Sequence, residues 1–276
     1  MPFSNIVGHS KQISILKSLI SAERFPQSSL FVGSEGIGKK LIAIEVLKLL
    51  TESPLNVRIL GEEKAATIEE IREVSEWLFK KPSSGKGKGL VIDNAEEMRN
   101  EAANALLKTL EEPPNYGFII LITKNEEAIL PTLRSRCKVF RFGKLSDSNI
   151  EYILEKLGLK VDKRVIKLSN GSVGMAVKLS ETPIPDLIKE FINLMKSKDK
   201  LKGILLFSSK FSKLSREETL LFLNALENLL SQKDTILKWF EAIQKGREFL
   251  KFYGKPQSVI EWILLEVLLK TGRESF

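Results

Sequence analysis

SSLFVGSEGIGKK, residues 28–40, joins a short apolar run to a glycine-rich turn and then to a lysine pair that opens the helical pattern KKLIAIEVLKLLT of residues 39–51. Its turn fits G-x-x-x-x-G-K, with Gly33, Gly38 and Lys39 at the fixed places and Gly36 as a further glycine between them. Glycines let successive backbone N–H groups curl around phosphate oxygens. The helix N-terminus adds positive potential there, and Lys39 adds a point charge. A strand before such a loop and a helix after it predict an α/β domain with an anion-binding loop.

Two positions depart from a working loop of this kind. The residue after the lysine should be Ser or Thr, whose hydroxyl binds Mg²⁺, but Lys40 stands there with a positive charge that opposes a metal. GLVID (89–93) reads as a buried strand that delivers Asp93 at its C-terminal end, where a metal-organising carboxylate belongs. The next position, where a glutamate would orient water, is Asn94, and an amide is no general base. Glu96 or Glu97 could substitute as base, but both lie on the turn beyond the strand. The expectation is very slow ATP hydrolysis or none. ATP or phosphate would be held weakly by Lys39 and the loop amides, and no cofactor would be required.

Around this core the first half of the chain alternates strand-like and helix-like segments. Helical spacing marks 11–22 and 39–51, and Thr67 with Glu70 three residues on reads as a capping box for a helix to about Phe79. NEAANALLKTLEE (100–112) is a helix ended by Pro113-Pro114. Strands are predicted at 28–32, 55–60, 89–93, 118–123 and 139–142. Continuously apolar strands alternating with helices argue for a parallel sheet covered on both faces. After Gly143 nearly every periodic segment is helical, broken at Asn170-Gly171-Ser172 and at Pro183–Pro185. The predicted organisation is an α/β P-loop domain over 1–143, a small helical domain over 144–182 and an all-α domain over 183–276.

Composition excludes several classes. Apolar residues make up 43% of the 276-residue chain and charged residues 28%, enough for buried cores. A single cysteine, Cys137, and a single histidine, His9, rule out a disulfide framework, a Cys/His zinc site and a histidine triad. No apolar run approaches the roughly 18 residues of a membrane span, and the opening MPFSNIVGHS lacks a signal-peptide pattern, so a cytoplasmic chain without membrane partners is expected. The net charge of +8 is spread along the chain and is compatible with nucleic acid or an acidic partner. The lysine groups 80, 81, 86, 88 and 196, 198, 200, 202 read as solvated, the second in a linker. Trp239 and Trp262 read as packing residues, and His9 as a polar residue at a pocket rim.

Three stretches carry a family resemblance. IDNAEEMRNEAANALLKTLEEPP (92–114), FIILITKNEEAILPTLRSRC (118–137) and the opening IVGHSKQISILKSLI (6–20) closely resemble the AAA+ clamp-loader subunits of bacterial DNA polymerase III. The likeness is greatest to the delta-prime branch, with gamma/tau as the near relative. It is strong over residues 5–143 and weaker beyond, where only helical character matches the family's lid and collar.

The resemblance implies roles. In Ser135-Arg136-Cys137, Arg136 would be an arginine finger reaching a neighbouring subunit's nucleotide, with Arg134 carrying the same chemistry two residues earlier. Asp93 and Asn94 would be the remnant of the Walker B motif. The sensor-1 region would fall at Thr123 to Asn125. In GSVGMA (171–176) Met175 replaces a sensor-2 arginine, a third lost phosphate contact, and the four-cysteine zinc module common in the family is missing. Departures at 40, 94 and 175 favour a non-catalytic delta-prime-like subunit of the polymerase holoenzyme. Its expected partners are the gamma/tau and delta subunits, the sliding clamp indirectly, and primer–template DNA in a nucleoid-associated replisome. The alternatives are an active gamma-type ATPase and a basic DNA-binding module with a vestigial loop.

Overall fold

In the computed structural model, which describes residues 3–197, 199–231, 236–252 and 254–270, the predicted alternation is realised over the first half of the chain. In chain order come α1 (Ser10–Ser21), β1 (Ser28–Val32), α2 (Lys39–Thr51), β2 (Val57–Leu60), α3 (Ile68–Phe79) and β3 (Lys88–Ile92). They are followed by α4 (Asn100–Glu111), β4 (Gly117–Thr123), the short α5 (Pro131–Arg134), β5 (Lys138–Arg141) and α6 (Asp147–Lys156). The five strands form one sheet in the order β2-β3-β4-β1-β5, and every pairing is parallel. The strand expected from Leu55 begins two residues later, because Pro54–Asn56 makes a 3-10 turn that leaves Leu55 in solvent.

The strands alternate between two helical layers, as a two-residue period requires. Leu30, Leu90, Ile92, Ile119 and Leu121 face α3 and α4, packing on Ile71, Val74, Leu78, Ala102 and Leu106. Their neighbours Phe31, Val91, Ile120 and Ile122 face the other way, onto Leu16 of α1 and Ile42, Ala43 and Val46 of α2. Thus the continuously apolar strands are a parallel sheet buried on both sides. The capping box forms: Thr67 Oγ1 accepts from the Glu70 amide at 3.3 Å, and Glu70 Oε2 accepts from the Thr67 amide at 2.8 Å.

The chain divides into two compact units, Met1–Ile153 and Leu154–Phe276, the division falling within α6. The second unit holds α7 (Lys163–Leu168), α8 (Val173–Ser180), α9 (Ile184–Lys196), α10 (Lys200–Ser209), α11 (Arg216–Leu230), α12 (Ile236–Lys251) and α13 (Pro256–Lys270). Its core includes Phe191, Phe207, Phe211 and Phe222, with Trp239 edge-on to Phe191 at 5.4 Å. Trp262 is half-buried and meets Phe249 at 5.1 Å. Asn228 of α11 donates to the Leu168 carbonyl of α7 at 2.9 Å. The expected break falls between α8, which ends at Ser180, and α9, where Pro183 is the cap and Pro185 lies in the first turn, a place that proline fits.

Two lysine expectations need correction. Lys88 is buried, not solvated: its Nζ donates to the Trp77 carbonyl at 2.7 Å and lies 4.6 Å from the Trp77 ring, with Arg58 4.7 Å from that same ring. Lys196 ends α9 and Lys200 and Lys202 belong to α10, so these three lie on helices rather than in the short connection between them; Lys198 lies outside the described residues, as do residues 271–276 of the predicted all-α domain. Among the described residues no helix is long and apolar enough to cross a membrane.

Candidate functional site

The C-terminal ends of β1, β3 and β4 converge where the strand order reverses, the position at which open α/β sheets present a crevice. β1 runs into the loop of residues 33–38, and α2 begins at Lys39 with Gly38 as its cap at φ 97°. The Gly33 amide donates to the Thr123 carbonyl at 3.2 Å, which ties the loop to the end of β4. A Cβ on Gly33 would stand 2.5 Å from the Phe142 carbonyl oxygen, so only glycine allows the loop to leave the sheet there. The loop's other neighbour is His9, whose Nε2 lies 2.9 Å from the Ile37 carbonyl and whose ring stands edge-on to Phe142 at 5.4 Å. The predicted rim residue therefore braces the loop.

The two lysines diverge because consecutive helical residues point about 100° apart. Lys39 turns inward: it is buried, and its Nζ donates to the carbonyls of Gly33 and Ser34 at 2.6 and 2.7 Å. Desolvation holds its ammonium below the usual lysine range, against the attraction of Asp93 and Glu96. Lys40 turns toward the strand ends, with Nζ 3.1 Å from Glu62 Oε1 and 3.5 Å from Asp93 Oδ2. Desolvation pulls its proton affinity down, but the Glu62 hydrogen bond and the pull of both carboxylates outweigh that, and the net direction is upward.

Asp93 follows β3 directly, as expected, and its amide donates to the Leu60 carbonyl at 2.8 Å. Asn94 takes a left-handed conformation, φ 48° and ψ 44°, and its Nδ2 donates to the Gly61 carbonyl at 3.0 Å. The side chain in the place of a hydrolytic base is thus engaged with backbone. Glu96 and Glu97 lie on the following 3-10 turn, and both face Lys124, at 3.7 and 3.4 Å. The Glu96 side chain is 7% exposed, and its Oε2 has no hydrogen-bond partner among the described residues. Thr123 and Asn125 close a small turn on each other, Thr123 Oγ1 donating to the Asn125 carbonyl and accepting from the Asn125 amide, while Asn125 Oδ1 caps Glu127.

Arg136 sits away from this crevice, after α5, in an exposed position. Its Nη1 donates to the Thr132 carbonyl at 2.9 Å, and its Nη2 is ion-paired with Glu111 at the end of α4. Arg134 is half-buried. Met175 lies in the second unit, in the first turn of α8, where its amide donates to the capping Ser172 Oγ at 3.0 Å. Sequence reading did not find Glu62, whose only signal was the Gly61 turn before it. Among the described residues no group of three His, Cys, Asp or Glu side chains could hold a metal ion.

Comparison with known proteins identifies relatives. A family model described as "DNA polymerase III, delta subunit" matches residues 52–146. The DNA polymerase III subunit gamma of Buchnera aphidicola subsp. Schizaphis graminum is 30% identical over 228 residues, covering 72% of this chain and 62% of that protein. The chain is related to the AAA+ clamp-loader subunits of DNA polymerase III. A second gamma subunit, from Buchnera aphidicola subsp. Acyrthosiphon pisum, is 27% identical over 290 residues, 93% of this chain and 78% of that one. The chain thus spans less than two thirds of the first of these relatives. In fold, a DNA polymerase III gamma subunit-related protein from Thermotoga maritima superposes with a TM-score of 0.54 over 91% of this chain and 98% of its own, at 17% identity.

Proposed function

We propose that this chain is a delta-prime-like, non-catalytic subunit of the DNA polymerase III clamp loader. The observation that carries the reading is the Lys40 ammonium 3.5 Å from Asp93, in a crevice where Asn94 has replaced the base. A site arranged this way lacks the metal-binding hydroxyl at position 40 and the proton acceptor at position 94 that phosphoryl transfer to water requires. What the chain offers is Arg136, an exposed guanidinium whose planar fork matches phosphate oxygens. Such a finger, placed in a neighbouring subunit's site, supplies roughly 10³–10⁵ in rate in the best-studied NTPases. Docking would exchange its Glu111 partner for the neighbour's γ-phosphate. The helical part would serve as lid (144–182) and collar (183–276), the partners would be gamma/tau and delta subunits, and contact with primer–template DNA would be to the backbone and salt-dependent. Such a complex works in the cytoplasm.

The test is Arg136→Ala in the reconstituted loader with clamp and primed DNA. Assembly should be intact and ATP turnover should fall at least about tenfold, a conservative share of a finger's worth; unchanged turnover overturns the role. The second reading, an active gamma-type ATPase, has the likeness to gamma subunits in its favour. Phosphate release by the purified chain with ATP and Mg²⁺ would establish it; a flat trace supports the non-catalytic reading.

A further inference from the structure

Positions 40 and 94 look like two separate losses in the sequence, yet in the fold both contact Asp93 and each also contacts one of the adjacent pair Gly61 and Glu62. β2 ends at Leu60, and Gly61 follows at φ +78°, so close to β3 that a Cβ there would stand 2.1 Å from the Asp93 carbonyl oxygen. Two contacts hold this approach, the Asp93 amide on the Leu60 carbonyl and the Asn94 Nδ2 on the Gly61 carbonyl, while the Asn94 amide donates to Asp93 Oδ1 at 3.1 Å. The consequence is that Glu62, the next residue, is carried to the side of Asp93, and the Lys40 ammonium lies within 4 Å of a carboxylate of each.

A Mg²⁺ ion brought by a nucleotide needs a hydroxyl at position 40 and access to the Asp93 carboxylate, within a tight octahedron of oxygens. The residues present do not fit it. Position 40 supplies no oxygen, and its ammonium lies 3.5 Å from Asp93 Oδ2. A second cation beside that carboxylate would be repelled by the first.

We propose that Lys40 is a resident counter-ion that takes the place of Mg²⁺ at Asp93, held there by Glu62 and by the Asn94–Gly61 tether, so that a polyphosphate on the loop of residues 33–40 gains nothing from its divalent cation. Asn94 is then a positioning residue: its amide fixes the Gly61 backbone, and through it Glu62. This inference rests on the reading of the loop as a degenerate phosphate site. It is independent of Arg136, so failure here and failure of the finger are separately visible.

The experiment titrates the full chain with fluorescently tagged ATP, once in Mg²⁺ and once in EDTA, for the natural protein and for Lys40→Thr. The natural protein should show no gain from Mg²⁺. Lys40→Thr, which frees Asp93 and supplies the hydroxyl, should bind at least about tenfold more tightly in Mg²⁺ than in EDTA, the scale on which neighbouring groups alter metal affinity. If the natural protein binds no tagged ATP in either buffer, the loop takes no polyphosphate and that half of the proposal is overturned, while a Mg²⁺-dependent gain in Lys40→Thr upholds the counter-ion role. Tenfold tightening of the natural protein by Mg²⁺ overturns the whole, as does a folded Lys40→Thr without any gain. Should Lys40→Thr melt early by circular dichroism, Lys40→Ser replaces it, and paramagnetic Mn²⁺ with ATP reads metal binding directly on the natural protein, which should hold none at this site.

Discussion

Lys39 and Lys40 share a side chain and differ in everything the fold does with them. One gives up hydration to brace two loop carbonyls, while the other keeps part of its solvent and gains two carboxylates. Cys137 shows how strongly position governs a single group. Its thiol is packed against the α3–α4 core, and burial pushes it up to about 12 from an ordinary value of 9.0. The folded protein therefore keeps the thiol neutral, and only the thiolate reacts. A colorimetric disulfide reagent at pH 8 should leave Cys137 untouched in the native chain and label it at once in denaturant; rapid native labelling would show the burial to be wrong. The sign of the pH effect follows. Above pH 9 the unfolded chain loses a proton that the folded chain keeps, so the stability contribution is fully present below about pH 9 and declines as pH rises past it.

At the scale of the element, α3 is the clearest case of local chemistry setting a boundary. Thr67 and Glu70 satisfy two amides at the helix start, and hydrogen bonds from Thr67 hold the Glu70 carboxyl below the usual range. Thr67→Ala should cost about 1 kcal/mol, measured by urea unfolding, as N-cap losses do. A carboxylate with a depressed folded value stabilises above its unfolded pKa and loses that contribution as pH falls through the folded one. The difference between the natural protein and Glu70→Ala, which removes the carboxylate that the Thr67 amide donates to, should accordingly narrow in acid. A difference that stays constant down to pH 2 would mean that the Glu70 half of the box contributes nothing.

Over the whole molecule, the sheet-based unit and the helical unit each have their own core, and each has its own tryptophan reporters. Trp77 belongs to the first, Trp239 and Trp262 to the second. Chains with separate cores need not unfold in one step. Fluorescence of a Trp77→Phe variant and of a Trp239→Phe/Trp262→Phe variant should give distinct denaturant midpoints. Coincident transitions would show the two units to be one cooperative body. The aromatic packing that holds the second unit (Phe191, Phe207, Phe211, Phe222, Trp239) involves helices α9 to α12, so a transition reported by Trp239 reads that core as a unit.

The residues by themselves determined the strand–loop–helix that carries Lys39, the doubly buried parallel sheet, the capped α3 and the helical second half. These follow from periods of two and 3.6, from glycine and proline, and from caps, all of which act over a few neighbouring positions. Family likeness was legible in the stretches around Asp93 and Arg136 for the same reason: contiguous residues carry it. What only the tertiary structure decided is where long side chains end. Lys88 reads as one more lysine beside a glycine loop, yet it is buried on Trp77. Glu62 gave no sign of belonging to the crevice, and Asn94 looked like a mere loss. Their roles depend on the approach of β2 to β3, which brings Gly61 against Asp93 across about thirty residues of chain. A flexible ammonium or carboxylate can reach several partners, and the partner it takes is set by backbone that the local pattern does not contain.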